Sequence, residues 1–289
     1  MTTEPGGVGS PGPTRPAPLA RVCFSDRRGG ISAGRYRSLN LGDHVGDEPT
    51  AVAANRGLLA ARVGLTGADL AVMQAVHGRT SAAVAVPGVV PAVDILVTTS
   101  PDIGLLAMAA DCVPLALVDP VAGVAAAVHS GWRGIAANAP GAAVAAMTEL
   151  GAHPADITAR LGPAICPRCY EVSNDVRDEV AAAAPDAAAR TATGSPAVAL
   201  HAAARQQLRA TGVLEVGADP TCTAESADHF SYRRDAVTGR QGVVVRLPER
   251  HHQSRAESQS RAESQTRAES QTRAESQTRA GNESRGRHD

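Results

Sequence analysis

Between about residues 19 and 247 the chain sets short apolar runs between polar breaks rich in Gly and Pro, a pattern that lays out its elements. Residues 21–25, RVCFS, read as a first strand. The loop SLNLGDHVGDEP leads into a helix over about 50–63, with Pro49 and Thr50 as its start signals. Residues 71–76 are a short apolar strand ending at His77-Gly78. Two further strands, 94–98 and 103–108, are joined by a Ser-Pro-Asp turn, and 113–118 and 124–128 pair around Asp119-Pro120. An Ala-rich helix is predicted over 134–150 despite Pro140 near its start. A strand at 157–161, helices at about 174–184 and 198–211, and a last strand at 242–247 complete the series. Apolar strands bounded by tight turns, with helices interspersed, indicate one α/β or α+β domain around one core.

Composition refines this picture at the two ends. Residues 1–18 are rich in Pro and Gly and are expected to be disordered. From residue 250 the composition changes, and over 255–278 the unit RAES followed by QS or QT recurs every six residues, which makes no apolar stripe on a helix of 3.6 residues per turn. Residues 250–289 are therefore expected to be a low-complexity, disordered tail, leaving 19–249 as the folded domain. Hydrophobic residues make up 43% of the 289, but aromatics only 2%, so the core must be built from Val, Leu, Ile and Ala. The net charge of −1 gives no electrostatic case for nucleic acid or an anionic membrane. Five cysteines at irregular spacing do not form a disulfide framework. With no signal segment and no run of about 18 apolar residues, a cytoplasmic protein is expected.

Three positions share a local grammar. His77 ends an apolar run and precedes Gly78; Cys112 follows one; His129 ends another and precedes Ser130-Gly131. Two imidazoles and a thiolate suit zinc, and three protein ligands leave a fourth position open, as in catalytic sites. The same residues also fit a Cys-His nucleophile pair or three unrelated core positions, since Cys is commonly buried and inert. Cys166-Pro-Arg-Cys169 is a lone CxxC that carries no metal or redox assignment. Arg133 lies between Gly131 and Gly134, where backbone room lets a ligand approach. Arg233-Arg234-Asp235 is either a solvated surface pair or an anion clamp.

Six stretches then carry a resemblance: QAVHG (74–78), DILVTTSPDIGLLAMAADCVPLALVDP (94–120), AAAVHSGWRGI (125–135), SLNLGDHVGD (38–47), LGPAICPRCYEV (161–172) and FSYRRDAVTGRQ (230–241). By these separated motifs, spread over roughly residues 21–247, the chain resembles the family once called multicopper polyphenol oxidoreductase laccases and now regarded as purine nucleoside phosphorylases. The resemblance implies a single α/β domain with two packed mixed sheets and helices outside. It implies that His77, Cys112 and His129 are a metal triad, with zinc the usual ion and copper loading an alternative. It implies phosphorolysis of adenosine, inosine, guanosine and methylthioadenosine, and hydrolytic deamination of adenosine. Zinc with an open position would supply acidified water near the purine. Phosphorolysis needs an anion site, for which Arg133 and Arg233 or Arg234 are the candidates, with Asn40 as a ribose or phosphate contact. Asp111 is a candidate ligand-orienting group or proton carrier, or else a turn cap.

The chain departs from the family pattern in places. Cys166 stands where the family usually has glycine and Arg168 where it has cysteine, which makes the CxxC look incidental. Ala199 and Ala204 stand where Asp and Asn are usual, so a change in the substrate pocket is expected if those polar groups support it. Other functions are a copper-dependent polyphenol oxidase, a non-catalytic zinc-binding module, and a cysteine hydrolase using Cys112 and His129. One His-Cys-His triad falls well short of the ten or so ligands of a multicopper chain.

Overall fold

The computed structural model describes residues 20–249. The expectations for residues 1–18 and for the repeat tail from 250 onward lie outside the described residues. Two mixed sheets pack face to face. The first has five strands in the order Arg21–Phe24, Gln241–Arg246, Gly104–Ala109, Leu70–Met73 and Gly88–Val90. The second has six, in the order Glu215–Ala218, Thr158–Leu161, Val113–Asp119, Val124–Ser130, Ile95–Thr98 and Ser81–Ala83. Each sheet combines parallel and antiparallel pairs, for example Leu70↔Gly104 parallel and Val243↔Ala107 antiparallel in the first.

Strand alternation divides the core into three layers. Leu105 and Ala107 of the first sheet meet Leu96, Ala116, Ala125 and Ala127 of the second between the sheets. Leu106 and Met108 face the other way, under Leu59 and Ala60 of the helix Pro49–Ala61. Leu115, Leu117, Ala126 and Val128 face helices Ala139–Glu149 and Leu200–Ala210 through Val144, Met147, Ala203 and Leu208. Strands covered on both faces need apolar side chains, which is why GLLAMA and VPLALV are apolar and buried throughout. The carboxylate of the buried Asp119 that follows accepts the N–H groups of Val121, Ala122 and His153. Between the sheets the small side chains are mostly alanine and valine, as the near-absence of aromatics requires.

Three expectations change. The predicted helix over 134–150 is two helices, Trp132–Ala136 and Ala139–Glu149. Pro140 lacks an N–H and its ring would clash with the Ala136 carbonyl, so the helix stops there. Asn138 restarts the chain in the left-handed region at φ 59°, and its side chain accepts the Gly141 N–H. The strand expected over 71–76 ends at Met73, four residues before His77. The Ser-Pro-Asp turn carries the chain from the second sheet to the first, so the strands on either side of it are not neighbours. The edge strands Ser81–Ala83, Gly88–Val90 and Glu215–Ala218, and the small ribbon of Ala188–Arg190 with Pro196–Val198, have too few apolar residues to stand out in the pattern. No helix among the described residues is long and apolar enough to cross a membrane.

Candidate active site

His77, Cys112 and His129 converge at one end of the sheet pair. His129 is the penultimate residue of its strand, and Cys112 sits in the crossover from Gly104–Ala109 in the first sheet to Val113–Asp119 in the second. His77 rides on the loop beyond Met73, in the left-handed region at φ 64°. One donor atom from each of the three lies within 4.8 Å of the others, and the two imidazole rings meet edge to face with centroids 4.7 Å apart.

Asp94 organises this group. It is fully buried, immediately before Ile95–Thr98, and pairs across to the His129 strand, where the His129 N–H donates to its backbone carbonyl. His129 Nδ1–H donates to Asp94 Oδ1 at 2.9 Å, which makes Nε2 the nitrogen that would ligate a metal. The same carboxylate accepts the backbone N–H of His77 at 2.9 Å and of Gly78 at 2.7 Å. Burial alone would raise the Asp94 carboxyl, but the His129 imidazole and the loop amides outweigh it and hold the group below its usual range. Asp94 appeared in the sequence only as the start of a strand. The signal that could have found it is a buried carboxylate one residue from an apolar strand, which demands a partner.

Charge follows geometry at Cys112. Burial alone would raise its thiol, but His129 and His77 hydrogen-bond the sulfur and bring it down to about 6. Burial opposes charge on His129, and the Cys112 sulfur with Asp94 overrides it, raising the imidazole to about 9. Without a metal the pair thus favours a thiolate beside an imidazolium. The thiolate is the form that ligates metal, and a metal would take the place of the proton on His129 Nε2.

The donor set fits zinc. Two imidazole nitrogens and a sulfur are donors that zinc accepts tetrahedrally, and the three already lie within 4.8 Å of one another. Gly131 keeps the space open, since a Cβ there would stand 2.7 Å from Cys112 Sγ. The triad would supply three ligands and leave one side facing a cavity of about 770 Å³.

The other candidates divide. Arg133 and Arg233 line the cavity with Trp132 and Tyr170. The Arg133 guanidinium lies over the Trp132 ring at 4.3 Å, and Arg233 lies over Tyr170 at 5.0 Å while donating to Glu171 O. Stacking engages the guanidinium face and leaves N–H edges for an anion. Asp111 also lines the cavity, but its oxygens accept from Thr223 Oγ1 and the Arg233 N–H, both at 2.6 Å, so it anchors the wall. Arg234 and Asn40 do not line the cavity. Arg234 donates to the carbonyls of Thr223, Ser226 and His229 and pairs with Asp235, so its donors are spent on a loop. Asn40 is fully buried, donating to Gly42 O and Asp47 and accepting the Gly42 and Arg240 N–H groups. The polar network of Asn40 instead sets Arg240, a cavity residue that sequence reasoning passed over, as it did His44. Burial lowers the Arg240 guanidinium and, with Arg240 nearby, the His44 imidazole. Ala199 and Ala204 lie away from the cavity: Ala199 precedes helix Leu200–Ala210 without a capping side chain, and Ala204 is core.

Residues 21–248 match the profile of the family described as multi-copper polyphenol oxidoreductase laccase. This chain belongs to that family. Two relatives from Streptomyces, both named purine nucleoside phosphorylase, align over nearly their whole length. The S. coelicolor protein is 52% identical over 231 residues, covering 79% of this chain and 96% of its own. The S. griseus protein is 49% identical over 240 residues, covering 81% and 98%. Among solved structures of the laccase-like fold, YlmD from Geobacillus stearothermophilus superposes with a TM-score of 0.74 at 35% identity, covering 80% of this chain and 92% of that one. A Neisseria meningitidis protein, NMB0706, superposes with a TM-score of 0.72 at 35% identity, covering 82% and 98%. The two packed mixed sheets with helices outside are the family's architecture as the resemblance implied.

Proposed function

We propose that this protein is a purine nucleoside phosphorylase whose reaction takes place in the cavity beside His77, Cys112 and His129. The observation that carries the reading is the junction of two chemistries in one cavity, an N,N,S donor triad on one wall and the stacked guanidinium groups of Arg133 and Arg233 on others. The names of its relatives support it. Phosphorolysis brings a phosphate dianion against C1′ of the ribose as the purine leaves. Arg133, Arg233 and Arg240 supply the cationic donors for phosphate, whose oxygens match their planar forks. Trp132 and Tyr170, on which two of these guanidinium groups stack, complete the lining beside the purine.

Zinc is the ion we assign to the triad, and Asp94 holds His129 in the tautomer that would ligate it. When bound there, zinc supplies a Lewis acid and an acidified water beside the substrate. That chemistry would extend the activity to hydrolytic deamination of adenosine, and the substrate set we assign is adenosine, inosine, guanosine and methylthioadenosine. The same three donors would take copper. A phenol oxidase needs further copper centres to pass electrons to oxygen, and the other donor cluster among the described residues holds thiols and a carboxylate but no imidazole.

Chromatography of adenosine incubated with the protein, with and without phosphate, tests this. Adenine that appears only with phosphate is the expected product, and inosine in either condition marks the deaminase. Both should be absent with Cys112→Ala. Adenosine left unchanged in every lane would reject the reading.

A further inference from the structure

Beyond the triad, the described residues bring together a second group of donors, Cys166, Cys169, Cys222 and Glu225, whose ligand atoms all lie within 4.8 Å of one another. They come from two loops far apart in sequence with the same internal spacing, Cys-Pro-Arg-Cys and Cys-Thr-Ala-Glu. Each loop turns back on itself, with the Cys169 N–H donating to Cys166 O at 3.0 Å and the Ser226 N–H to Cys222 O at 2.9 Å. The Cys166 N–H donates to Cys222 Sγ at 3.2 Å, which ties the two loops together at the donor atoms.

The fold imposes this convergence through contacts that involve none of the four donor atoms. Ala164 and Cys222 form a parallel bridge, and the Thr223 N–H donates to Ala164 O. Arg234 gathers the carbonyls of Thr223, Ser226 and His229, which is where that arginine's donors go. Thr223 Oγ1 and the Ile165 N–H are both tied to Asp111, the neighbour of Cys112.

We propose that Cys166, Cys169, Cys222 and Glu225 form a second, structural zinc site, apart from the His77–Cys112–His129 triad. Three thiolates and a carboxylate are a closed tetrahedral set with no open position, the arrangement of zinc that holds a fold together. Glu225 can ligate through one oxygen and keep the other on Arg168, whose guanidinium already contacts both at 3.0 and 3.1 Å and offsets part of the surplus negative charge. A disulfide between any two of the sulfurs would leave the third sulfur and the carboxylate converging on nothing. The ion would staple together the loop that continues into Tyr170 and the loop fastened to Asp111, both part of the cavity wall. The CxxC is then half of a site whose other half lies 53 residues later, from Cys169 to Cys222. This site does not depend on the purine reading or on the triad.

The test is a cobalt(II) titration of the reduced, metal-stripped protein, alongside Cys112→Ala, His77→Ala and Cys169→Ser. Wild type is expected to take up two equivalents. Cys112→Ala and His77→Ala, which leave all four proposed ligands intact, should each keep one equivalent with tetrahedral visible bands and a strong sulfur-to-cobalt charge-transfer band. Cys169→Ser should lose that equivalent or bind it at least tenfold more weakly, with a weaker band. If neither triad variant binds cobalt, or if both bind it without the charge-transfer band, the site is not there. The triad variants decide the matter even where Cys169→Ser fails to fold.

Discussion

His129 Nδ1 lies 2.9 Å from the Asp94 carboxylate, and that carboxylate also receives the backbone N–H groups of His77 and Gly78. One buried acid therefore sets the ring of one triad histidine and the loop of the other. Asp94→Asn keeps the size of the side chain but removes the charge that fixes the His129 tautomer. Zinc affinity, read by competition with a chelating dye, should fall about 10–100-fold. An unchanged affinity would show that the imidazole is oriented by packing alone.

Gly131 tests the space around the triad. A methyl group there would meet Cys112 Sγ at 2.7 Å and His77 Cδ2 at 3.6 Å. Gly131→Ala should displace the sulfur, lowering zinc affinity and turnover together while leaving thermal stability within about 3 kcal/mol of wild type. Equal zinc affinity in the two proteins would mean that the backbone yields and the contact is unimportant.

Adjacent arginines should fail in different ways. Arg233→Ala removes a cavity donor and is expected to raise KM for phosphate with little change in melting temperature. Arg234→Ala strips partners from the carbonyls of Thr223, Ser226 and His229 and should cost about 2 kcal/mol of stability. Phosphate-dependence curves and thermal melts of the two variants separate the roles. A KM effect in Arg234→Ala without any loss of stability would put it back in the site.

Ala199 stands at the N-cap of helix Leu200–Ala210 and offers no side-chain acceptor. Ala199→Asp supplies one and places a negative charge at the helix N-terminus. Stability should rise by about 1 kcal/mol in a urea titration, with KM unaltered because the position is away from the cavity. A loss of stability would show that the backbone at this position, φ −93° and ψ 82°, cannot present the cap.

Acid should weaken the fold through His201. Burial depresses its imidazole, against the pull of Gly162 O, which accepts Nε2–H at 2.8 Å. The unfolded chain then binds a proton near the ordinary value of about 6.5 while the folded chain still resists it. The stability this group contributes is whole above that value and drains away as pH falls below it. His201→Gln retains a donor for Gly162 O without a titrating ring. Its melting temperature should therefore drop less than that of wild type between about pH 7 and pH 5. Parallel curves would assign the acid sensitivity elsewhere, with His44 and His229, also depressed by burial, the next to replace.

Much of this protein was legible in residue order alone. Runs such as GLLAMA and VPLALV announce strands because a strand covered on both faces has little room for polar side chains. His77, Cys112 and His129 stood out because each sits at the edge of such a run, and the separated motifs pointed to the family. What the sequence could not give was register and convergence between distant segments. Asp94 becomes part of the site only because its strand lies beside that of His129, 35 residues on. Arg233 and Arg234 look alike in sequence, yet a short helix turns one into the cavity and the other onto a ring of carbonyls. The CxxC looked incidental beside the family pattern, and nothing in residue order shows that Cys222 and Glu225 come within 4.8 Å of it from a different loop. Hydrophobic periodicity is local and survives in the order of residues; the meeting of a thiol, an imidazole and a carboxylate is decided by which strands pair, and that is settled only when the whole chain has closed around its core.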